Sequence, residues 1–168
     1  MTRSCTTVSP KSSSAELSDS VREMSTTRAV SSSRIIKASP ERIFAVLTDP
    51  AQHAVIDGSG MVQKVRGGAK VLTIGSRFGM DMKLGFLPYR INNTVVEFEQ
   101  DRLIAWAHFG GHRWRYELEA VAGGTKVTET FDWSTAKSPK MIELMGYPKK
   151  NAKAIEATLE RLAAHAEK

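Results

Sequence analysis

Apolar and polar residues alternate along most of the chain after residue 61, and the clearest alternation runs from His112 to Trp133. A double glycine, Gly123-Gly124, divides this stretch into two strands and predicts a hairpin with a two-residue loop. One face of the hairpin is then aromatic and apolar, while the other pairs opposite charges and faces water. The predicted pairs on the apolar face are Trp114 with Trp133, Tyr116 with Phe131, Leu118 with Glu129, and Ala120 with Val127. Glu129 is therefore a carboxylate on an otherwise apolar face.

The same alternation predicts an antiparallel meander of about six strands from residue 61 to residue 133. Two-residue turns at Gln100-Asp101 and at Gly110-Gly111 give three hairpins one common inner face. We expect this face to comprise Thr94, Val96, Phe98, Leu103, Ala105, Ala107, Trp114, Tyr116, Leu118, Glu129, Phe131 and Trp133. The upstream residues expected to extend it are Phe78, Met80, Met82 and Leu84. The alternative is an odd-length loop at Gly110-Gly111. It would turn the strand before the loop over, so that Ile104, Trp106 and His108 face inward instead. We adopt the even-length loop.

Helix signals precede the meander, after a predicted first strand at residues 29–38. Ser39 can cap the following helix, and Pro40 fits its first position. The helix should end at Asp49-Pro50, because the residue before a proline is pushed out of the helical region. A second short helix then passes through His53 and stops at nearby glycines.

Two helical segments follow the meander. Ser138 is expected to cap the first, which is short and carries the apolar residues Met141, Leu144 and Met145. The final helix is predicted from about residue 148 to residue 165, with apolar residues at steps of three and four. Because a one-sided helix needs an apolar partner, we expect it to pack on the apolar face of the sheet.

The chain has 168 residues, which suits one domain with a substantial core. Residues 1–26 are rich in serine and threonine and nearly lack large apolar side chains, so we expect a disordered tail. The domain should then span residues 27–168, and Met24 is an alternative translation start. The single cysteine, Cys5, excludes an internal disulfide and a cysteine-based zinc site.

The formal net charge is +6, but the basic residues are scattered, and Lys149-Lys150 is their longest run. Nucleic-acid sites concentrate such residues on one face or arm, so no nucleic-acid partner is expected. Weak, salt-sensitive contact with an anionic membrane surface stays open. No apolar run approaches the ~20 residues that cross a bilayer, and the chain starts without a secretory signal. These features predict a soluble, cytoplasmic protein.

Several short fragments of the sequence occur in a characteristic order: SPERIF at residues 39–44, GSRF at 75–78, RLIAW at 102–106, WRYELE at 114–119 and GTKVT at 124–128. Together they resemble the START-like or helix-grip superfamily, also called SRPBCC, and within it the bacterial polyketide cyclase/dehydrase proteins. The resemblance extends from about residue 28 to the C-terminus. It implies an α+β helix-grip fold, in which a curved antiparallel sheet of about seven strands wraps around a long C-terminal helix. Two short helices follow the first strand.

Members of this superfamily hold an apolar ligand between sheet and helix, so the resemblance implies such a cavity here. Its expected walls are Phe78, Met80, Met82, Thr94, Val96, Ala105, Ala107, Trp114, Tyr116, Glu129, Phe131, Met141, Met145, Ile155 and Leu159. Its mouth is expected around His53 and Asp57. Each of these side chains has a filled core as its alternative, although flexible methionines and two small alanines favour a cavity.

Signatures of catalysis are weak in this chain. It lacks a glycine-rich phosphate loop, a nucleophile elbow and a cluster of ligands at metal-binding spacing, so neither a cofactor nor a metal is expected. An ionised carboxylate in an apolar cavity costs several kcal/mol unless it is paired. Glu129 should therefore be hydrogen-bonded, be salt-bridged or have a raised pKa, unless it lies at a wet mouth.

Three functions are compatible with these residues. The leading hypothesis is binding or carriage of a hydrophobic small molecule, such as a lipid, a fatty acyl chain or a polyketide-like aromatic. The first alternative is a polyketide aromatase/cyclase with Tyr116 and Glu129 as acid-base partners, and with Thr94, His53 or Asn92 as further polar groups. The second is a protein-interaction module whose cavity has collapsed. No sequence feature indicates an oligomeric state.

Overall fold

The computed structural model describes residues 28–168, so the predicted tail and Cys5 lie outside the described residues. A curved seven-stranded antiparallel sheet and four α-helices make up this part of the chain. The strands are β1 (Ala29–Ile36), β2 (Val62–Gly68), β3 (Arg77–Leu84), β4 (Leu87–Glu99), β5 (Leu103–His108), β6 (Arg113–Val121) and β7 (Gly124–Asp132). The helices are α1 (Pro40–Thr48), α2 (His53–Ile56), α3 (Pro139–Leu144) and α4 (Tyr147–Ala166).

The strands are ordered β1-β7-β6-β5-β4-β3-β2 in the sheet. Strands β2 to β7 form the predicted meander, and β1 pairs with β7 at its far edge. The long helix α4 packs against β1 and β7 and contacts the two short helices that follow β1. The predicted α+β helix-grip architecture is therefore confirmed.

Helix α1 forms where the cap residues predict it. The Ser39 hydroxyl accepts a hydrogen bond from the Arg42 amide at 3.4 Å, and Pro40 occupies the first helical position. The helix ends at Asp49, whose side chain accepts from the Ala51 amide and starts a short 3₁₀ turn that leads into α2. Ser138 differs from the prediction, because its side chain makes no capping hydrogen bond to α3.

The hairpin of β6 and β7 has the predicted inner face but different partners. Its two loop residues are Ala122 and Gly123, and Tyr116 lies opposite Glu129 rather than opposite Phe131. Trp114 lies opposite Phe131. A shift of two residues leaves every side chain on its original face, because side chains alternate with a period of two. The predicted inward orientation of these aromatic residues is therefore confirmed, whereas their predicted pairing is wrong.

The even-length loop predicted between β5 and β6 is wrong. Three residues, Phe109 to Gly111, separate His108 from His112, and the Gly111 amide donates to the His108 carbonyl at 2.9 Å. Gly111 has a φ of 87°, the left-handed conformation that three-residue hairpin loops commonly need. Ile104 and Trp106 consequently face inward, opposite Tyr116 and Trp114. Ala105 and Ala107, which were predicted to face the cavity, lie on the outer face.

The part of strand β4 before its bulge is also turned over relative to the prediction, whereas Phe98 faces inward as predicted, opposite Ile104. Its loop to β5 has three residues, with Asp101 at a φ of 58°. A bulge between Val95 and Glu97 inserts one extra residue into β4. Val95 pairs with the inward Trp106 and is buried. Thr94 and Val96, predicted to point inward, therefore lie on the outer face.

The outer face also explains why position 105 is an alanine. Ala105 lies between Glu97 and Arg115 in the sheet, and these two side chains form an ion pair at 3.0 Å. The small methyl group lets the two long side chains meet above it, and they cover it completely, since Ala105 is 0% exposed. Burial of this residue thus indicates a covered outer surface rather than a place in the core.

Candidate functional site

A cavity of about 330 Å³ lies between the concave face of the sheet, helix α2 and the start of α4. Apolar side chains make most of its wall, with polar groups at separate points. The residues of the strands that line it are Val62, Phe78, Met80, Met82, Tyr89, Ile91, Asn93, Trp106, His108, Trp114, Tyr116, Glu129 and Phe131. The C-terminal helices contribute Ile142, Tyr147, Asn151, Ala154 and Thr158. Helix α2 and the loops contribute His53, Ile56, Asp57, Ser59, Met61, Phe109 and His112. The volume falls within the range of small-molecule sites, roughly 300 to 1,000 Å³.

A buried acid-phenol pair lies on this wall. Tyr116 on β6 and Glu129 on β7 are direct cross-strand partners, and the Tyr116 hydroxyl donates a hydrogen bond to Glu129 Oε1 at 2.8 Å. Only 4% of Tyr116 and 2% of Glu129 are exposed. The second carboxyl oxygen, Oε2, is buried and has no hydrogen-bond partner among residues 28–168. One polar atom of the pair is therefore unsatisfied in the wall of the cavity.

Burial determines the charge of the pair. It raises the pKa of Glu129 to about 8, with nearby Asp57 adding to the rise and the Tyr116 hydrogen bond opposing it. Burial also raises the pKa of Tyr116 well above its ordinary value, and Glu129 adds to that effect. At pH 7 about nine in ten Glu129 side chains then keep their proton. The protein therefore presents a neutral carboxyl group, and its free O–H can donate to a ligand.

His53 lies in the wall of the cavity and not at its mouth. Its ring stacks on Trp106, with 4.9 Å between the ring centroids, and meets the edge of Phe78 at 5.5 Å. His53 Nε2 is 2.9 Å from the Leu47 carbonyl, so this nitrogen carries the proton and donates. Burial lowers the pKa of His53. The ring is thus a neutral, fixed part of the aromatic wall.

Two further histidines form a pair where β5 meets β6. The rings of His108 and His112 lie 4.5 Å apart, and both residues line the cavity. Burial, followed by repulsion from His112, lowers the pKa of His108 to about 3, and burial lowers the pKa of His112. His108 was expected to face inward only with an odd-length loop, and His112 was not predicted. With a three-residue loop, the alternation of side chains along β5 and β6 places both histidines on the inner face.

Asn93 is the other polar side chain that the sequence analysis missed. It lies on the inner face of β4, is 2% exposed, and its carboxamide oxygen has no hydrogen-bond partner in the described part of the chain. Its neighbour Asn92, named as a candidate polar group, is exposed and accepts from Arg66 at 3.0 Å. The bulge in β4 reverses which of the two faces inward, and sequence periodicity alone does not show a bulge.

The structure brings together only part of the predicted wall. The predicted residues that line the cavity are Phe78, Met80, Met82, Trp114, Tyr116, Glu129, Phe131, His53 and Asp57. The outer-face residues Thr94, Val96, Ala105 and Ala107 do not line it, for the register reasons given above. Ile155 and Leu159 lie on the buried face of α4 and are part of the core instead. Met141 and Met145 are about half exposed and lie outside the cavity, because α3 turns this side to solvent.

The described residues contain neither a group of metal ligands nor a membrane-spanning helix. Across residues 28–168, no three histidine, cysteine, aspartate or glutamate side chains are grouped so that they could hold a metal ion. None of the helices in this region is both long enough and apolar enough to cross a membrane.

A curved antiparallel sheet that grips a long helix, with a mainly apolar cavity between them, defines a helix-grip protein of the ligand-binding type. The family described as polyketide cyclase / dehydrase and lipid transport matches residues 27–167, and the chain belongs to this family.

One relative and two solved structures are similar to this chain. The uncharacterized protein Rv0088 of Mycobacterium tuberculosis H37Rv is 43% identical over 142 residues, which covers 80% of this chain and 62% of that protein. The chain thus spans less than two thirds of this relative. Protein CV1439 from Chromobacterium violaceum has a TM-score of 0.66 at 17% identity, covering 84% of this chain and 98% of that one. An AHSA1-like protein from Aeromonas hydrophila has a TM-score of 0.60 at 20% identity, covering 83% and 95%. At these identities the two structures show a shared fold.

Proposed function

We propose that this protein binds a small, mainly apolar molecule in the cavity and holds the polar group of that molecule at the Tyr116–Glu129 pair. The observation that carries the proposal is an open cavity of about 330 Å³ with aromatic and methionine walls and a buried carboxyl oxygen without a partner. Transfer of an apolar ligand from water to such walls is favourable by about 25 cal/mol per Å² of surface buried. The family description, which includes lipid transport, supports the same conclusion.

The charge of Glu129 narrows the class of ligand. A protonated carboxyl group whose Oε1 already accepts from Tyr116 offers its remaining O–H as a donor. A carbonyl, ether or hydroxyl oxygen on the ligand would satisfy that donor. A neutral site gives no attraction to a cationic group. We therefore expect an apolar ligand with an oxygen acceptor, such as a fatty acyl ester, a fatty alcohol or a polyketide-like ketone.

A second candidate function is acid-catalysed cyclisation or dehydration of a polyketide-like ketone. A carboxyl group with a pKa near 8 can donate a proton at neutral pH, and general acids are most effective when their pKa lies near the working pH. However, the polar contacts of the carboxyl group are few. Tyr116 is its side-chain hydrogen-bond partner, and Oε2 has none among residues 28–168. A single anchored pair favours binding over a reaction centre with several converging groups.

The third hypothesis, a protein-interaction module, expects a collapsed cavity. The open cavity, with Trp106 on its inner wall at 7% exposure, speaks against it. The predicted cytoplasmic location stays a prediction.

Ligand binding can be measured through the tryptophans of the wall. Trp106 and Trp114 both line the cavity, so titration with the fluorescent fatty acid cis-parinaric acid and its methyl ester should quench their emission to saturation. Met80→Trp would fill the cavity and should abolish saturable binding. Val96→Trp, on the outer face, is the matched control and should leave it unchanged. Native mass spectrometry of the purified protein should reveal a co-purified apolar molecule. If neither probe binds saturably and no molecule co-purifies, the proposal fails.

The catalytic alternative has its own test. Glu129→Gln and Tyr116→Phe keep the shape of the wall but remove the proton donor and the phenol. If both variants turn over an identified ketone substrate as fast as the wild type, the acid-base role is excluded. That outcome would leave the binding proposal standing, because the probe titration tests binding separately.

A further inference from the structure

Large apolar side chains are exposed on two segments at one end of the sheet. The hairpin of β3 and β4 exposes Phe86 at its tip, with 96% of the residue accessible, between Leu84 and Leu87. Helix α3 has no buried residue. We define the mouth surface as the six residues Leu84, Phe86, Leu87, Met141, Leu144 and Met145, each more than half exposed.

Residues next to both segments line the cavity. Tyr89 lies just past the hairpin tip and Tyr147 just past α3, and both line the cavity. The loop that leads to α3 contacts the β5–β6 turn, where the Lys137 amide donates to the Gly110 carbonyl at 2.9 Å. The two segments of the mouth surface therefore adjoin the wall of the same cavity.

Unpaired positive charge accompanies this surface. Lys83 precedes the hairpin tip, Lys140 lies on α3, and Lys149-Lys150 lie in the first turn of α4. In the part of the chain that the structure describes, none of these lysines has a carboxylate within 4.0 Å. The carboxylates nearby are held by other groups, since Asp81 pairs with two arginines and Glu143 pairs with Arg28. Both apolar segments of the mouth surface are thus accompanied by lysines that are close to them in sequence.

Exposed apolar side chains accompanied by lysines without a carboxylate partner in the described residues suit one kind of partner better than others. Contiguous exposed apolar surface is unusual on a protein without a binding partner. Lysine is depleted in protein–protein interfaces, whereas it is common beside apolar side chains that enter a membrane interface, where it attracts anionic lipid headgroups. We propose that the mouth surface docks the protein on an anionic phospholipid bilayer, so that the cavity opens toward the membrane. This inference goes beyond the proposed function and does not rest on it.

Vesicle flotation of the full chain tests the docking surface. We expect the protein to float with vesicles of phosphatidylcholine mixed with phosphatidylglycerol, and to float less with phosphatidylcholine alone or at high salt. The double variant Phe86→Ser with Leu87→Ser should lower the partition coefficient by about tenfold or more, because two large apolar side chains are lost. Leu144→Ser should weaken binding through the second segment.

Exposed apolar residues elsewhere provide a matched control. Val71 and Ile74 are exposed by similar fractions, 66% and 62%, in the loop between β2 and β3, which lies toward the opposite end of β3. Val71→Ser with Ile74→Ser should leave flotation unchanged. Equal losses in the two double variants, or no flotation of the wild type with anionic vesicles, would overturn the proposal. So would sedimentation that shows the mouth surface joining two copies of the chain.

The two proposals can fail separately. Titration with cis-parinaric acid in the absence of vesicles measures the cavity alone, and Phe86→Ser with Leu87→Ser should leave it unchanged. If this double variant loses flotation but still binds the probe, the result supports docking through the mouth surface. Flotation without probe binding would leave the docking surface standing and overturn the proposed function.

Discussion

Replacing Glu129 with glutamine tests the central physical claim about the site, that the buried carboxyl group is neutral at physiological pH. The amide has the same shape, and its oxygen can still accept from Tyr116 at the position of Oε1. It cannot ionise. The difference in pH dependence between the two proteins therefore isolates the titration of this one group.

The sign and size of the effect follow from the pKa values. The folded protein keeps the Glu129 proton up to about pH 8, whereas the unfolded chain releases it near 4.5. Between these values the folded state binds more protons, so the free energy of unfolding falls as pH rises. The neutral carboxyl's contribution is complete below pH 4.5 and is lost as pH passes about 8. Each pH unit is worth about 1.4 kcal/mol, which gives about 5 kcal/mol in total.

Buried histidines also titrate near this range. Burial lowers the pKa of His53, His108 and His112. A lowered histidine pKa adds stability as pH rises, and that gain continues through the ordinary value of 6.5, where the unfolded histidine is half protonated. Glu129→Gln keeps the same histidines, so the difference in stability between the two proteins removes their contribution. From pH 6.5 to 8 the expected loss in that difference is about 2 kcal/mol.

Urea unfolding at a series of pH values, followed by tryptophan fluorescence, measures this loss. Between pH 6.5 and pH 8 the wild type should lose about 2 kcal/mol of stability relative to Glu129→Gln. Glu119→Gln is the control, because that carboxylate is on the solvent face with 70% of its side chain exposed, and it should follow the wild type. Parallel curves for the wild type and Glu129→Gln would refute the reasoning about a buried neutral carboxyl group.

Three further predictions concern the same wall and the register of the sheet. Tyr116→Phe removes the hydrogen bond that lowers the pKa of Glu129, so the pH at which stability is lost should move upward in the same urea series. Ala105→Leu should cost about 1 to 3 kcal/mol by disrupting the ion pair above it, with no change in probe affinity; a change in affinity would contradict its outer-face position. Gly111→Ala should destabilise the protein by about 2 kcal/mol or more, since a Cβ there would lie 2.6 Å from the Thr135 carbonyl oxygen, and thermal unfolding measures that loss.

The inner face of the β6–β7 hairpin could be predicted from the sequence because a register error of two residues does not change which side chains face inward. The loop was placed one residue late, which moved the partner of Trp114 by two positions from Trp133 to Phe131. An even shift keeps inward residues inward. The aromatic residues of this hairpin, and Glu129 among them, were thus assigned to the correct face despite the wrong register.

The faces of β4 and β5 could not be predicted in the same way, because one residue reverses them. A third loop residue before His112 turned Trp106 inward, and a bulge beside Val96 turned Asn93 inward. Nothing in local alternation distinguishes a two-residue from a three-residue loop around Gly110-Gly111. The choice depends on a distant contact, since the Gly110 carbonyl accepts from the Lys137 amide after β7.

By itself, the sequence determined the order of the elements, the caps of α1 and the presence of one carboxylate on an apolar face. Those features depend on local periodicity and on residues close together in the chain. Only the tertiary structure decided what Glu129 does. It placed Tyr116 rather than Leu118 opposite the carboxyl group and buried the pair almost completely. A hydrogen-bond partner and a raised pKa depend on register and on depth, and both arise only when separate strands are assembled around a shared cavity.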